Sequence, residues 1–456
     1  MHILVSLLLN LAYFFAALIA SPWLCYRAFA HGDRRGLSSR FGFGLGGSLR
    51  SSIWLHGSSA GEIALLEPLV KLLEESKVGN PIVVSAYSAT GLAAARKAFP
   101  NRRVILFPFD FSFVVRRFLA RFDPCLVVIV ESDFWPNFLL AANRRDIPVA
   151  VINGKMSEKS YRLHSKLKVV PALLRKLELI ALQSQEYSDR LSRLGIPEER
   201  LCVTGNMKYD LARTPRQSEA VRRLREQMQY VPQGVVIMGG SLHEAEHEVL
   251  LSAYEHVRAK HHDAALVLVP RYPKSAPRVE SLVAAHGFEA VRKTRLDSGR
   301  AENLDSSKVL IVDTVGELRE LYAVADIAFV GGSLFYRGSN KGGHNLMEPA
   351  ILGLPVIFGP YHYSFQDAAQ RLVEAQAGFE VRDLQELTRV LLLLLEDDDR
   401  RRECGRRARR LILDSQGATR RNFELLMPLV ERVRRLRVAS VGRTMPPALG
   451  DADLGR

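Results

Sequence analysis

The sequence predicts two doubly wound, Rossmann-like α/β domains facing a cleft, preceded by an apolar N-terminal helix. Three observations carry this expectation. Short apolar runs alternate with helix-like segments from Ile53 onward, the pattern of a parallel sheet wrapped by helices. A polar, arginine-rich stretch, Asp210 to Gln229, interrupts the alternation before it restarts. A chain of 456 residues with 47% hydrophobic content also exceeds what one α/β domain usually holds, so two cores are expected.

Taken in order, Ile3 to Tyr26 carry no charged side chain and are rich in Leu, Ala, Phe and Ile, enough for a helix to cross roughly 30 Å of hydrocarbon. Arg27, Arg34, Arg35 and Arg40 follow, and no basic segment precedes the run. Residues 1–27 therefore read as an uncleaved single-pass anchor rather than a signal peptide, with the body on the cytoplasmic side. After the glycine-serine loop Gly42 to Ser52, apolar runs recur at Ile53, Ile82, Val104, Leu126, Val149, Leu179 and Cys202. They resume at Val235, Ala265, Val309, Ile327 and Pro355. This sets a first domain at 28–215, a second at 216–440 and a flexible tail at 441–456, with ligands expected at the carboxyl ends of the strands.

The balance of 63 Lys+Arg against 49 Asp+Glu leaves a formal charge of +14, which suits an anionic partner. Nucleic acid is disfavoured as that partner. The arginine run Arg400 to Arg410 follows Glu396-Asp397-Asp398-Asp399 and reads as a solvated helix face, and the basic tail has only Phe423 nearby for stacking. Lys159 to Lys176 mixes basic and apolar residues, as either a membrane-surface helix or an ordinary amphipathic one. Four cysteines with no CxxC pair support neither a disulfide framework nor a cysteine-rich zinc site.

Four motifs could carry chemistry. Gly342-Gly343-His344-Asn345-Leu346-Met347-Glu348 follows the run Ile327 to Val330 and opens a helix, so its glycines and free N–H groups suit a phosphate and Glu348 a ribose. Gly57-Ser58-Ser59-Ala60-Gly61 matches G-x-S-x-G with Ser59 as nucleophile, but the loop ends in Glu62 at a helix start. Serine catalysis, Glu62 as a base and a simple capping loop are all open readings. His243-Glu244-Ala245-Glu246-His247 matches HExxH without a convincing third zinc ligand, and a phosphate contact by Ser241 or His243 is the competing role. Glu131 and Asp133 close the run Leu126 to Val130; at most one of the two is expected to enter the cleft, and a capped turn with Pro136 starting the next helix is the competing reading. Lys208, after the last run of the first domain, could neutralise a leaving phosphate.

Read together, Leu55 to Glu62, Glu131 to Asn137, Gly205 to Asp210, Pro270-Arg271-Tyr272-Pro273, Asp313 to Leu318, Gly331 to Leu334 and Gly343 to Glu348 resemble the 3-deoxy-D-manno-octulosonic acid (Kdo) transferases of lipopolysaccharide assembly. The ordered likeness spans nearly the whole chain. It implies a GT-B glycosyltransferase fold, CMP-Kdo as donor, lipid IVA as acceptor, inverting transfer without cofactor or metal, and attachment to the inner membrane. By the same resemblance Glu62 is the base, and Glu131 and Lys208 stabilise the transition state. Pro270, Arg271, Val315, Gly316, Glu317, Asn345, Leu346, Met347 and Glu348 match the CMP-binding segments. The sequence departs from the family at Tyr272, commonly His, at Leu242, commonly Thr, at Asp133, commonly Glu, and in a longer loop at Phe335 to Lys341. The competing functions are a lipid-linked transferase using a UDP-sugar, a membrane-anchored serine hydrolase using Ser59, a zinc peptidase using His243 and His247, and a non-catalytic membrane-surface protein.

Overall fold

The structure is a computed structural model that describes residues 6–16, 18–19, 21, 34–131, 134–166, 169–214, 221–222, 224, 226, 234–298, 304, 307–338 and 342–442. The chain forms two compact units, Met1–Leu211 with Gln416–Arg456, and Ala212–Ser415.

The first unit is built on seven strands: β1 (Ser52–His56), β2 (Ile82–Ala86), β3 (Arg103–Leu106), β4 (Pro124–Val130), β5 (Val149–Gly154), β6 (Leu179–Leu182) and β7 (Leu201–Val203). All pair in parallel in the order β3-β2-β1-β4-β5-β6-β7. Every residue of β1, β2, β4, β5 and β6 is buried, which is why these strands read as unbroken apolar runs and not as alternating ones. Trp54 points into one layer with Phe107, Phe118, Phe122 and Phe138, while Ile53 and Leu55 point into the other against the helix Ala60–Glu75. Because β2 and β3 lie to one side of β1 and β4 to β7 lie to the other, the order reverses between β1 and β4. A crevice opens there, beyond the strands' carboxyl ends.

The second unit repeats the plan with β8 (Val236–Leu242), β9 (Ala265–Pro270), β10 (Glu289–Arg292), β11 (Lys308–Ile311), β12 (Ile327–Val330), β13 (Val356–Phe358) and β14 (Gly378–Glu380), ordered β10-β11-β9-β8-β12-β13-β14. Its reversal falls between β8 and β12. Two strands that no apolar run announced, β10 and β14, are the outermost ones, partly exposed and polar in part.

The unit boundaries differ from those expected. The first break falls after Leu211 and not after 215, and the segment from Gln416 returns to the first unit although it was expected in the second. The physical reason is the helix Ala418–Gly442, whose Ala418, Leu426 and Val430 are buried against the β1–β4 layer. Asp210 fastens its start, accepting hydrogen bonds from the Gly417 and Thr419 N–H groups at 2.6 Å each. The acidic run and the arginines of the helix Asp398–Asp414 pair as expected of a solvated face, Arg402 with Asp398 at 2.7 Å and Arg407 with Glu403 at 2.8 Å.

The expected anchor falls partly outside the described residues, and among the described residues no helix is long and apolar enough to cross a membrane. Residues 6–16 are helical, and a polar stripe of that helix is turned toward the unit. Ser6 Oγ donates to Asn137 Oδ1 at 2.6 Å, Asn10 Nδ2 donates to Ser112 Oγ at 2.8 Å, and Tyr13 OH donates to Asp110 Oδ2 at 3.1 Å. Leu7, Leu8, Leu11, Phe14 and Phe15 are left exposed on the other side. The expected linker Asp210 to Gln229 and the expected tail lie largely outside the described residues.

Removing the helix fastening tests this arrangement. Asp210→Ala is expected to lower stability by about 1–2 kcal/mol, the usual cost of losing a charged cap. Urea unfolding with an unchanged slope and a lower midpoint is the expected result.

Candidate functional site

In the first unit, the β1–β4 crevice collects four chemically active side chains. The loop after β1 is held from below: His56 is fully buried, its Nδ1 2.9 Å from Ser85 Oγ and its ring 4.1 Å from the Phe107 ring. Ser59 caps the helix that follows, accepting from the Glu62 N–H at 3.3 Å. Its own hydroxyl donates to Glu62 Oε1 at 2.8 Å, and the Ser58 N–H donates to Glu62 Oε2 at 2.8 Å. The G-x-S-x-G loop is thus a cap whose serine is committed to orienting Glu62, and Glu62 is half-buried at the first turn.

Across the crevice, Glu131 ends β4 with φ +67°, a left-handed conformation uncommon for a residue with a Cβ and concentrated at functional sites. Only 7% of it is exposed, and its carboxylate meets two ammonium groups, Lys155 Nζ at Oε2 and Lys208 Nζ at 3.7 Å from Oε1. Lys208 sits in the short helix Met207–Leu211, whose entry is fixed by Asn153 Oδ1 accepting from the Met207 N–H at 2.9 Å. Asp133 lies outside the described residues.

Lys155 was missed from the sequence. The signal was available: it directly follows the buried strand β5, at its carboxyl end, beside the switch point. Burial works against its charge, but the Glu131 carboxylate, with Glu62 and Tyr187 also in electrostatic reach, outweighs burial and holds its ammonium above the ordinary lysine value.

In the second unit, the equivalent β8–β12 position is organised by Glu246. This carboxylate is 2% exposed and accepts from four backbone N–H groups, those of His243 at 2.9 Å, Gly332 at 2.7 Å, Ser333 at 3.0 Å and Leu334 at 3.0 Å. The H-E-A-E-H sequence is thereby a helix start that clamps the loop after β12 to the loop after β8. His243 and His247 do not present a joint ligand pair. His247 is 2% exposed, whereas the His243 ring stacks on His344 with Nε2 to Nε2 3.1 Å and lies 2.5 Å from Arg337 Nη1. Arg337, in the loop after β12, places a cation beside the two histidines. The glycines have a use here: a Cβ on Gly332, at φ +72°, would come within 2.8 Å of the His344 ring.

The remaining sequence-predicted residues of this unit surround strand ends. Arg271 follows β9 and is exposed, its N–H bonded to Leu242 O at 2.8 Å, while Pro270 is buried in the strand. Val315 and Gly316 are exposed in the loop after β11, and Glu317 is tied to Thr314 and to Lys293 at 3.4 Å. Asn345 Oδ1 accepts from the Met347 N–H at 3.1 Å and its Nδ2 donates to Glu348 Oε1 at 3.1 Å. Burial pushes the Glu348 carboxyl up, with Asn345 and Arg319 pulling the other way. The Leu346 and Met347 side chains are buried, so these two offer a ligand only their backbone.

Two parallel-sheet units with residues gathered at both switch points define the class: a two-domain glycosyltransferase fold of the GT-B kind. The solved structures agree on the fold. A glycosyltransferase from Rickettsia africae matches 84% of this chain and 99% of its own at TM-score 0.53 and 14% identity. A UDP-N-acetylglucosamine 2-epimerase matches 89% and 100% at TM-score 0.52 and 15% identity. The sequence narrows the class. The model of the family described as 3-deoxy-D-manno-octulosonic-acid transferase (kdotransferase) matches residues 35–211. The 3-deoxy-D-manno-octulosonic acid transferase of Haemophilus influenzae is 30% identical over 88% of this chain and 92% of its own length, and that of Bordetella pertussis 31% over 89% and 94%. The chain belongs to the Kdo transferase family, and it is a glycosyltransferase that acts in lipid A biosynthesis.

The paired histidines give a pH test. Burial, then the neighbouring His243 and the Arg271 and Arg337 cations, hold His344 down to about 4. A base whose folded value lies below its ordinary value of 6.5 binds its proton more readily when unfolded, so stability is lost as pH falls from 6.5 toward 4. His344→Gln should show a shallower loss over that window when unfolding free energy is measured against pH.

Proposed function

We propose that this enzyme transfers Kdo from CMP-Kdo to a sugar hydroxyl of lipid IVA with inversion, and that Glu62 takes the proton of that hydroxyl. The acceptor oxygen attacks the anomeric carbon of Kdo as the bond to the CMP phosphate breaks, and the proton moves to the Glu62 carboxylate. Charge on the departing phosphate and on the developing oxocarbenium centre is met by Lys155, Lys208 and Glu131, so that the reaction runs on side chains without a cofactor. The observation that supports this reading is the gathering of Glu62 with the Lys155–Glu131–Lys208 group at one switch point in a chain of this family.

The second unit is assigned the nucleotide. Arg271, the exposed Val315-Gly316 turn and the Asn345–Glu348 pair supply a cation, free backbone and a carboxylate suited to phosphate and ribose. Attachment to the cytoplasmic face of the inner membrane is assigned to the helix at residues 6–16, supported by its outward Leu and Phe side chains and by the arginines further along the sequence. That helix then lies along the membrane surface with its polar stripe on the protein.

Incubation with CMP-Kdo and lipid IVA should give a lipid heavier by whole Kdo units. Glu62→Ala should lower kcat by about 100-fold or more, with a modestly lower melting temperature because the Ser58 and Ser59 hydrogen bonds are lost. Full activity of that variant would remove Glu62 from its role. CMP should raise the melting temperature of the protein more than UDP does; the reverse ranking would indicate a UDP-sugar donor.

A further inference from the structure

Beside the Glu62 loop, the first unit contains a cavity of about 890 Å³ that none of the motifs predicted. Its walls are the helix Arg34–Arg40 with the loop that follows, the start of the helix Ala89–Ala98, β3 and Phe109. Three arginines line it, Arg40, Arg96 and Arg103, and among the described residues no aspartate or glutamate does. Arg40 is held in place, donating to Phe107 O at 3.1 Å and to Tyr87 O and lying 4.5 Å over the Tyr87 ring. Arg103 Nη1 donates to Leu45 O at 3.1 Å, whereas Arg96 is exposed and forms no ion pair among the described residues. Between the cations the wall is apolar, with Leu37, Phe43 and Leu92.

Positive charge without compensating acids, alternating with apolar side chains, matches an amphiphile that carries phosphate and hydrocarbon on one body. The cavity is also wired to the proposed base. Ser88, on its wall, donates from both N–H and Oγ to Ser58 O at 2.9 Å, and the Ser58 N–H donates to Glu62 Oε2 at 2.8 Å. We propose that this cavity seats a phosphate of the acylated acceptor on its arginines, with an acyl chain along Leu37, Phe43 and Leu92. The inference rests on the acceptor assignment above and adds to it the means by which a phosphorylated, acylated sugar is chosen over a bare one.

The test is direct binding, which needs no turnover. Full-length protein in detergent micelles is titrated with lipid IVA, with lipid IVA stripped of its phosphates and with lipid IVA stripped of its acyl chains. Arg96→Gln, at an exposed position without ion pairs, should bind lipid IVA about tenfold or more weakly and the dephosphorylated form unchanged, as loss of one charge-assisted contact predicts. Phe43→Ser should weaken lipid IVA and spare the deacylated form. Equal weakening of every ligand, or of none, overturns the proposal. So does an Arg96→Gln protein that loses retention on anionic phospholipid vesicles while keeping its lipid IVA affinity, since the cavity would then hold bilayer lipid. Absence of any Kdo product from wild-type protein would instead count against the transferase reading and leave the binding result to decide the cavity.

Discussion

The first unit depends on a carboxylate that water hardly reaches. Glu131 is tolerated at the end of a fully buried strand because two ammonium groups close on it, and removing either would leave charge buried without its full complement. The three groups come from places far apart in sequence, the ends of β4 and β5 and the short helix after β7. What brings them together is the parallel sheet, which delivers every carboxyl end to one edge, and its reversal at β1, which opens space there. Glu62 arrives from the other side of that reversal, already oriented by the serines of its own loop.

The second unit solves a similar geometric problem with the opposite sign. One buried carboxylate, Glu246, satisfies four backbone N–H groups and so fixes two loops against each other. The Arg337 and Arg271 cations and the stacked His243–His344 pair then stand near the loops that Glu246 has fixed. A buried acid holds the frame, and the open side of the frame carries the Arg271 and Arg337 cations.

Much of this was legible in the sequence because two-sided burial leaves unbroken apolar runs. Five strands of the first sheet and five of the second announced themselves in that way, while the edge strands β3 and β7 showed as shorter apolar runs. The edge strands β10 and β14 did not, since an edge has one neighbour and tolerates Glu289, Arg292 and Glu380. The return of the helix Ala418–Gly442 to the first unit was hidden for a different reason: its partners, such as Thr204 and Asp210, are about two hundred residues away, and no local pattern encodes a contact of that range. Glu62, Glu131 and Lys208 came from motifs, and their surroundings from the fold. Lys155 and Glu246 belonged to no recognised role, the first because a lone lysine after a strand is common, the second because the H-E-A-E-H spelling drew attention to its histidines.

Within this account Lys155 acts on the reaction and not on binding alone, because it balances Glu131 where charge develops. Steady-state kinetics of Lys155→Gln against both substrates is the most direct measurement of that claim. The account predicts a fall in kcat of about 100-fold with both KM values within a few fold of wild type, measured well below the lowered melting temperature that loss of one of the two cations on Glu131 brings. An unchanged kcat with a raised KM for either substrate would contradict it.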